Sequence, residues 1–216
     1  TANPILFCNA KPVFCDIDPR TFNIDVDKIK GLISEQTKAI IPVHLYGQPA
    51  DMKPIIEIAE KHNLAVIGDA CQSHGAIYDS KMVGSFGDME CFSFYPTKNM
   101  TTSEGGMITT NSDEIAEIAF SIRNHGREKT KWGYEHGRLG YNYRMTDITA
   151  AIGIEQLKKL PAFISKRREN AKYFNENLKN VDIPFVMENA EHAYHQYTIK
   201  CRNRDMLIDV FKKSEI

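Results

Sequence analysis

Short apolar runs alternate along this chain with longer segments whose apolar residues recur every three or four positions. Residues 11–16 (KPVFCD), 37–43 (TKAIIPV), 64–68 (LAVIG), 90–94 (ECFSF) and 106–110 (GMITT) are short apolar runs that suit buried strands. Pro42 implies an end or an edge for the second of them. Between them lie helical patterns. Asp25 can cap a helix through about Ile33. Asp51 precedes a helix over 52–62, with Pro54 in the tolerated first turn and Ile55, Ile58, Ala59 and His62 on one face. Asn111 or Ser112 can cap a helix to about Arg123, and Asp113 and Glu114 suit its N-terminal dipole. Thr146 opens a helix to Leu160, and Pro161 opens another. Tyr194 to Lys200 reads as a strand, and Asp205 onward as a helix.

Strand, helix, strand at these lengths predicts a βαβ unit with parallel strands and a right-handed crossover. The fold class is α/β: a mostly parallel sheet flanked by helices. His44 and Asp69 each follow a strand of that unit, so both fall at the carboxyl edge, where open α/β sheets place ligands. The stretch 124–145 is rich in Gly, Tyr, His and Arg. A polar loop of that length is usually functional or disordered. The pattern changes near Pro184, which predicts one unit over 1–180 and the beginning of a second, smaller one over 181–216.

Composition narrows the classes. The chain has 216 residues with 27 basic and 28 acidic side chains, a net charge of −1. That near-balance argues against a general nucleic-acid binder. No apolar run has the length of a membrane span, which excludes a helical membrane protein class for this stretch. The five cysteines are odd in number, irregularly spaced and without a CxxC pair. They suggest neither a zinc ribbon nor a disulfide framework, so a reducing, cytoplasmic setting is expected. The first residue is Thr1 rather than Met, and no start signal is visible, so a piece of a longer chain is expected.

Two residues carry candidate chemistry. Asp69 directly follows a buried strand, where a carboxylate needs a donor or a cation; an ordinary turn-capping Asp is the plain alternative. Lys98 also follows a strand, in a loop crowded with hydroxyls and closed by Gly105 and Gly106. Alone it reads as a solvated lysine. As a pair at one sheet edge they form either an ion pair or the two ends of a cradle for an aromatic aldehyde cofactor. Pyridoxal phosphate (PLP) needs a lysine amine for its aldehyde and an acid facing its ring nitrogen.

The runs GDACQSHGA, FGDMECFSFYPTKNMTTSEGGMITTN and GYNYRMTDITAAIG, in that order, resemble the DegT/DnrJ/EryC1/StrS family of sugar aminotransferases. So do ANPILFCNAKPVFCDIDPRTFNID and PVHLYGQPADM near the start. The likeness covers nearly the whole chain. It implies the large domain of a fold-type-I PLP aminotransferase with the start of a small α+β domain. It implies that Lys98 holds the cofactor aldehyde, Asp69 meets the ring nitrogen and Gln72 lies near the ring oxygen. Ser93 would bind the phosphate, and Asn142 would reach that phosphate from a neighbouring subunit. The loop 124–145 would then cross a homodimer interface with shared active sites. The implied partners are an amino-acid donor, typically glutamate, and a keto-sugar carried on a nucleotide. Sugar dehydratases of similar build have a histidine at the position of Lys98, so aminotransfer is favoured. The turn that cradles the cofactor phosphate is expected upstream of Thr1, and most of the small domain beyond Ile216. A non-catalytic relative and an inactive fragment are the rival readings.

Other features are weaker. His44 is a site-wall residue or a satisfied core histidine. His195 is a substrate contact on the strength of the resemblance. Its HxxH spacing with His192 does not argue for a metal site, and none is expected. Lys166, Arg167 and Arg168 read as a solvated helix face. Arg123 and Arg138 are candidates for anion contact.

Overall fold

A computed structural model describes residues 1–215. The chain begins with helix α1 (Ala2–Phe7), then α2 (Val26–Ile29), strand β1 (Ala39–Ile40), α3 (Met52–His62) and β2 (Ala65–Asp69). A small hairpin follows, β3 (Ile77–Tyr78) and β4 (Lys81–Met82), then β5 (Met89–Ser93), β6 (Gly106–Thr109) and α4 (Asp113–Arg123). The last elements are hairpin β7 (Arg127–Thr130) and β8 (Gly133–His136), the long α5 (Asp147–Asn177), β9 (Ala190–Glu191) and α6 (Arg204–Lys213).

The main sheet has the order β1-β2-β5-β6. Its first two pairs are parallel and its last is antiparallel, so the α/β expectation and the βαβ unit through α3 both hold. Strand β1 is shorter than its apolar run. Pro42 has no N–H to extend the ladder, yet its carbonyl still accepts from the Asp69 N–H at 2.8 Å. The chain therefore stays beside β2 as far as the Val43–Asp69 bridge.

Helix α3 buries Met52, Ile55, Ile58 and Ala59 against this sheet. A buried side chain of this size contributes roughly 1.5–3 kcal/mol of transfer free energy. Asp51 does not cap the helix with its own side chain. Its carboxylate instead accepts from the Tyr78 hydroxyl, and that hydroxyl accepts from the Lys53 N–H at 3.1 Å. Asn63 ends the helix in the left-handed conformation at φ 51°.

Several expected elements differ. Residues 11–16 form no strand, because no neighbouring strand pairs with them; the local ladder is one bridge, Ile17–Ile24. The segment 194–200 is likewise irregular, and its ladder contact is Lys200 with Asp182. The pairing falls earlier, where β9 joins β3. The loop 124–145 contains the β7–β8 hairpin. The two helices expected around Pro161 are one helix, α5. A proline inside a helix deprives the carbonyl four residues earlier of its N–H partner. That carbonyl belongs to Leu157, on the exposed side, while Leu160 and Ile164 beside the proline are buried and hold the helix in place.

Candidate active site

The carboxyl ends of β1, β2 and β5 converge. Asp69 ends β2 and stands in register with Cys91 of β5. The His44 N–H donates to the Asp69 carbonyl at 3.0 Å, and the Ala70 N–H to that of Cys91 at 2.8 Å. The Asp69 carboxylate accepts from the Thr1 hydroxyl and from the Cys71 backbone N–H. Burial opposes its ionisation, but these hydrogen bonds outweigh burial and hold the carboxyl below its usual range.

Beyond β5 the chain folds back on itself. The Phe94 N–H donates to Gly105 at 2.8 Å, and the Thr102 N–H to Phe94 at 3.0 Å. Gly105 sits at φ 154°, and a Cβ there would lie 2.6 Å from the Thr102 hydroxyl oxygen. This doubling-back sets Lys98 in a tight turn, its N–H donating to Tyr95 at 3.0 Å, with Asn99 and Met100 buried just behind it. Lys98 is half-buried.

The Cys71 thiol is pushed up to about 12, first by burial and then by the Asp69 carboxylate, while the Lys98 ammonium opposes the rise. Two imidazoles feel the Lys98 charge. His74 is buried between Phe92 and Phe94, with ring centroids 5.1 and 5.9 Å away, and neither ring nitrogen has a hydrogen-bond partner. Burial and the Lys98 charge lower it to about 4. His195 is lowered to about 4 by burial, Lys98 and Arg167, and its Nδ1 is buried without a partner.

Gln72, three residues beyond Asp69, is oriented by a backbone donor. Its Oε1 accepts from the Tyr46 N–H at 2.7 Å, which turns the amide –NH₂ end into the free donor. The Ser93 hydroxyl, at the end of β5, accepts from the Tyr95 N–H at 3.3 Å. Asn142 is exposed and pairs with Asn124. Among the described residues no hydrogen bond joins it to the other candidates.

His44 is held in the interior. It is wholly buried, its Nε2 lies 2.7 Å from Glu90, and its Nδ1 accepts from the Ala50 N–H at 2.9 Å. The core-histidine alternative is the one the geometry bears out, because both ring nitrogens are satisfied by interior partners.

The basic trio on α5 is also more than a solvated face. Lys166 is exposed beside Glu169. Arg167 donates to the Tyr194 carbonyl at 2.9 Å, and Arg168 to the His192 carbonyl at 3.0 Å and to Glu191. From the other side, the Ala193 N–H donates to Gly47 at 2.8 Å and the Gln196 N–H to Tyr46 at 3.1 Å. Gly47 has φ 104°, and a Cβ on it would lie 2.8 Å from the His195 nitrogen. This two-sided clamp fixes the backbone on either side of His195. His192 points elsewhere: its Nδ1 accepts from the Tyr194 N–H and its ring stacks on Tyr194 at 4.1 Å. Arg138 pairs with Glu128, and Arg123 lies over Phe120.

Sequence reasoning did not single out His74, Glu90, Arg167 or Arg168 as parts of this arrangement. His74 stands inside the GDACQSHGA run, which is the one signal that could have marked it.

The model of the DegT/DnrJ/EryC1/StrS aminotransferase family matches residues 1–216. The chain belongs to this family. It is 44% identical over 204 residues to GDP-perosamine synthase of Caulobacter vibrioides, covering 93% of this chain and 55% of that protein. It is 41% identical over 208 residues to UDP-N-acetyl-3-dehydro-alpha-D-glucosamine 3-aminotransferase of Acidithiobacillus ferrooxidans, covering 95% and 56%. Among solved structures, a DegT DnrJ EryC1 StrS aminotransferase from Brucella abortus superposes with a TM-score of 0.96 at 35% identity, over 100% of this chain and 60% of that one. Spr1654 of Streptococcus pneumoniae, solved in its PMP-form, superposes with a TM-score of 0.92 at 26% identity, over 99% and 63%. The fold is thus that of the fold-type-I aminotransferases, and the chain spans a little over half the length of these relatives. Among the described residues, no helix is long and apolar enough to cross a membrane, and no three His, Cys, Asp or Glu side chains gather as a metal site would need.

Proposed function

We propose that this chain carries the catalytic centre of a PLP-dependent aminotransferase. The enzyme would move an amino group from an amino acid, glutamate in the first instance, to a keto-sugar carried on a nucleotide. The product would serve amino-sugar and surface-polysaccharide synthesis in the cytoplasm. The observation that carries the reading is that Asp69 ends β2 while Lys98 stands in the loop just beyond the carboxyl end of β5, the strand parallel to β2. Similarity to enzymes named for GDP- and UDP-linked sugars supports the substrate class.

The donor set suits the cofactor. When bound, PLP supplies an aldehyde for an amine and a ring that accepts an electron pair. Lys98 is the amine that would hold the aldehyde, and it would also serve as the base that moves a proton at the donor's α-carbon. The Asp69 carboxylate, held in its ionised form, would keep a proton on the ring nitrogen. The free –NH₂ of Gln72 would donate to the ring oxygen, and the Ser93 hydroxyl would donate to the phosphate. His74 and His195 remain neutral at pH 7, so neither adds a positive charge beside the amine. His195 is the proposed substrate contact from the small-domain side.

A homodimer with shared sites is part of the proposal. Its support is a run of exposed apolar residues along the hairpin and the start of α5: Trp132 at 89%, Leu139 at 82%, Tyr143 at 70% and Ile148 at 77% exposure. Asn142 lies within that run and would serve the neighbour's phosphate.

Borohydride reduction of the full-length protein with PLP, followed by peptide mass mapping, tests the centre. The cofactor mass should appear on the peptide containing Lys98, and Lys98→Ala should lose both the label and turnover. A label on another lysine, or turnover by Lys98→Ala, would refute the assignment.

A further inference from the structure

Glu90 lies wholly buried in β5, opposite Gly68 of β2. A Cβ on Gly68 would lie 2.7 Å from the Glu90 Cγ and Oε1. The missing side chain is therefore what lets Glu90 reach across β2 to the end of β1. There its Oε1 meets His44 Nε2 at 2.7 Å, while its Oε2 accepts from the N–H groups of Gly84 and Phe86, the latter at 2.9 Å. Hydrogen-bond polarity decides the protonation. Ala50 can only donate to His44 Nδ1, so the ring proton sits on Nε2 and the imidazole is neutral. Three N–H donors then face the two oxygens of Glu90, which must be a carboxylate. It is a buried anion held by dipoles, without a cation.

An apolar side chain of similar volume would meet no such desolvation penalty at this place. What the pair adds is a fixed registry between three strand ends. One residue above it, the His44 N–H donates to the Asp69 carbonyl, the Asp69 N–H to Pro42, and the Ala70 N–H to Cys91. The backbone of Asp69 is thus held on both sides by strands that Glu90 and His44 tie together beneath it. We infer that His44 and Glu90 are positioning residues for Asp69, setting where its carboxylate stands relative to Lys98. This rests on the reading of Asp69 as the partner of the cofactor ring nitrogen.

The test is Glu90→Gln in the full-length protein. No orientation of the amide serves both sides, because its –NH₂ must face either His44 Nε2–H or the Gly84 and Phe86 N–H groups. Amide exchange of the cofactor-free protein is the first readout. Exchange at Asp69 and Ala70 should quicken at least about tenfold, with the amides of α3 unchanged. The second is the pH titration of bound-PLP absorbance. Its midpoint should move by at least about half a pH unit, in the same direction as in Asp69→Asn. A merely structural pair would lower stability and leave that midpoint alone. Unchanged exchange at 69–70, or a wild-type midpoint in the folded variant, would overturn the inference. If Glu90→Gln does not fold, His44→Gln replaces it, since it keeps the donor to Glu90 and loses only the acceptor for Ala50. If the unsubstituted protein takes up no PLP, the reading of the site fails, and the exchange measurement alone decides the positioning role.

Discussion

Gly68 and Glu90 face each other across β2 and β5 so closely that a methyl group on the glycine would lie 2.7 Å from the glutamate side chain. The glycine at this strand position is a matter of space, since its φ is not in the left-handed region. Gly68→Ala should therefore displace the Glu90 carboxylate from His44. Overpacking of this kind costs about 1–3 kcal/mol, a fall of roughly 2–10 °C in Tm for a chain of this size. Thermal unfolding measures it; a Tm within a degree of the parent would mean that Glu90 yields without loss.

Asp69→Asn replaces a carboxylate by an amide of the same shape. A hydrogen bond to a charged group contributes about 1.5–3 kcal/mol, so turnover should fall at least about tenfold while PLP is still bound. Steady-state kinetics on protein with confirmed cofactor content would show it. Near-parental turnover would remove Asp69 from its proposed role.

If Asn142 serves the neighbouring subunit's site, two dead variants should rescue each other. Lys98→Ala and Asn142→Ala chains, mixed and re-associated, would place one intact Lys98 beside one intact Asn142 in each mixed dimer. Random exchange should restore roughly a quarter of the sites. Activity that does not rise on mixing places Asn142 in its own subunit's site or in none.

His74 and His192 give the fold a defined acid sensitivity. Burial comes first in lowering both, with Lys98 adding for His74 and Arg168 for His192, to about 4 and about 3 against an ordinary 6.5. Above pH 6.5 both states of the protein carry neutral rings, and the full stability is present. As the pH falls from 6.5 toward 4, the unfolded chain takes up protons that the folded chain refuses. Stability is lost over that window at up to about 1.4 kcal/mol per pH unit per histidine. His192→Asn keeps an acceptor for the Tyr194 N–H and removes one titrating ring, so urea unfolding at pH 7, 6 and 5 should show a flatter decline. An unaltered slope would exclude His192 as a source of it.

Much of this molecule is legible in its sequence because the deciding forces are local. Periodicity places α3, since an amphipathic face must be buried, and capping chemistry places α4. Ser112 and Asp25 cap their helices as their side-chain chemistry requires, accepting from Ile115 and Asp27. Polar residues directly after apolar strands, Asp69 above all, mark the sheet edge, and motif order singles out Lys98, Gln72 and Ser93. What the local pattern could not decide depends on partners distant along the chain. Residues 11–16 are apolar enough for a strand but have none beside them. Pro161 looks like a break, yet buried neighbours on either side keep α5 whole. His44 looked available at a sheet edge until Glu90, 46 residues away, proved to bind it. Arg167 and Arg168 looked solvated until the chain returned at 191–195 to use them. Sequence alone determined which family motifs this chain carries and which polar residues follow its strands. The tertiary structure decided which polar groups are consumed by the interior and which are left to face a ligand, because burial and hydrogen-bond satisfaction are properties of the assembled packing and not of any one segment.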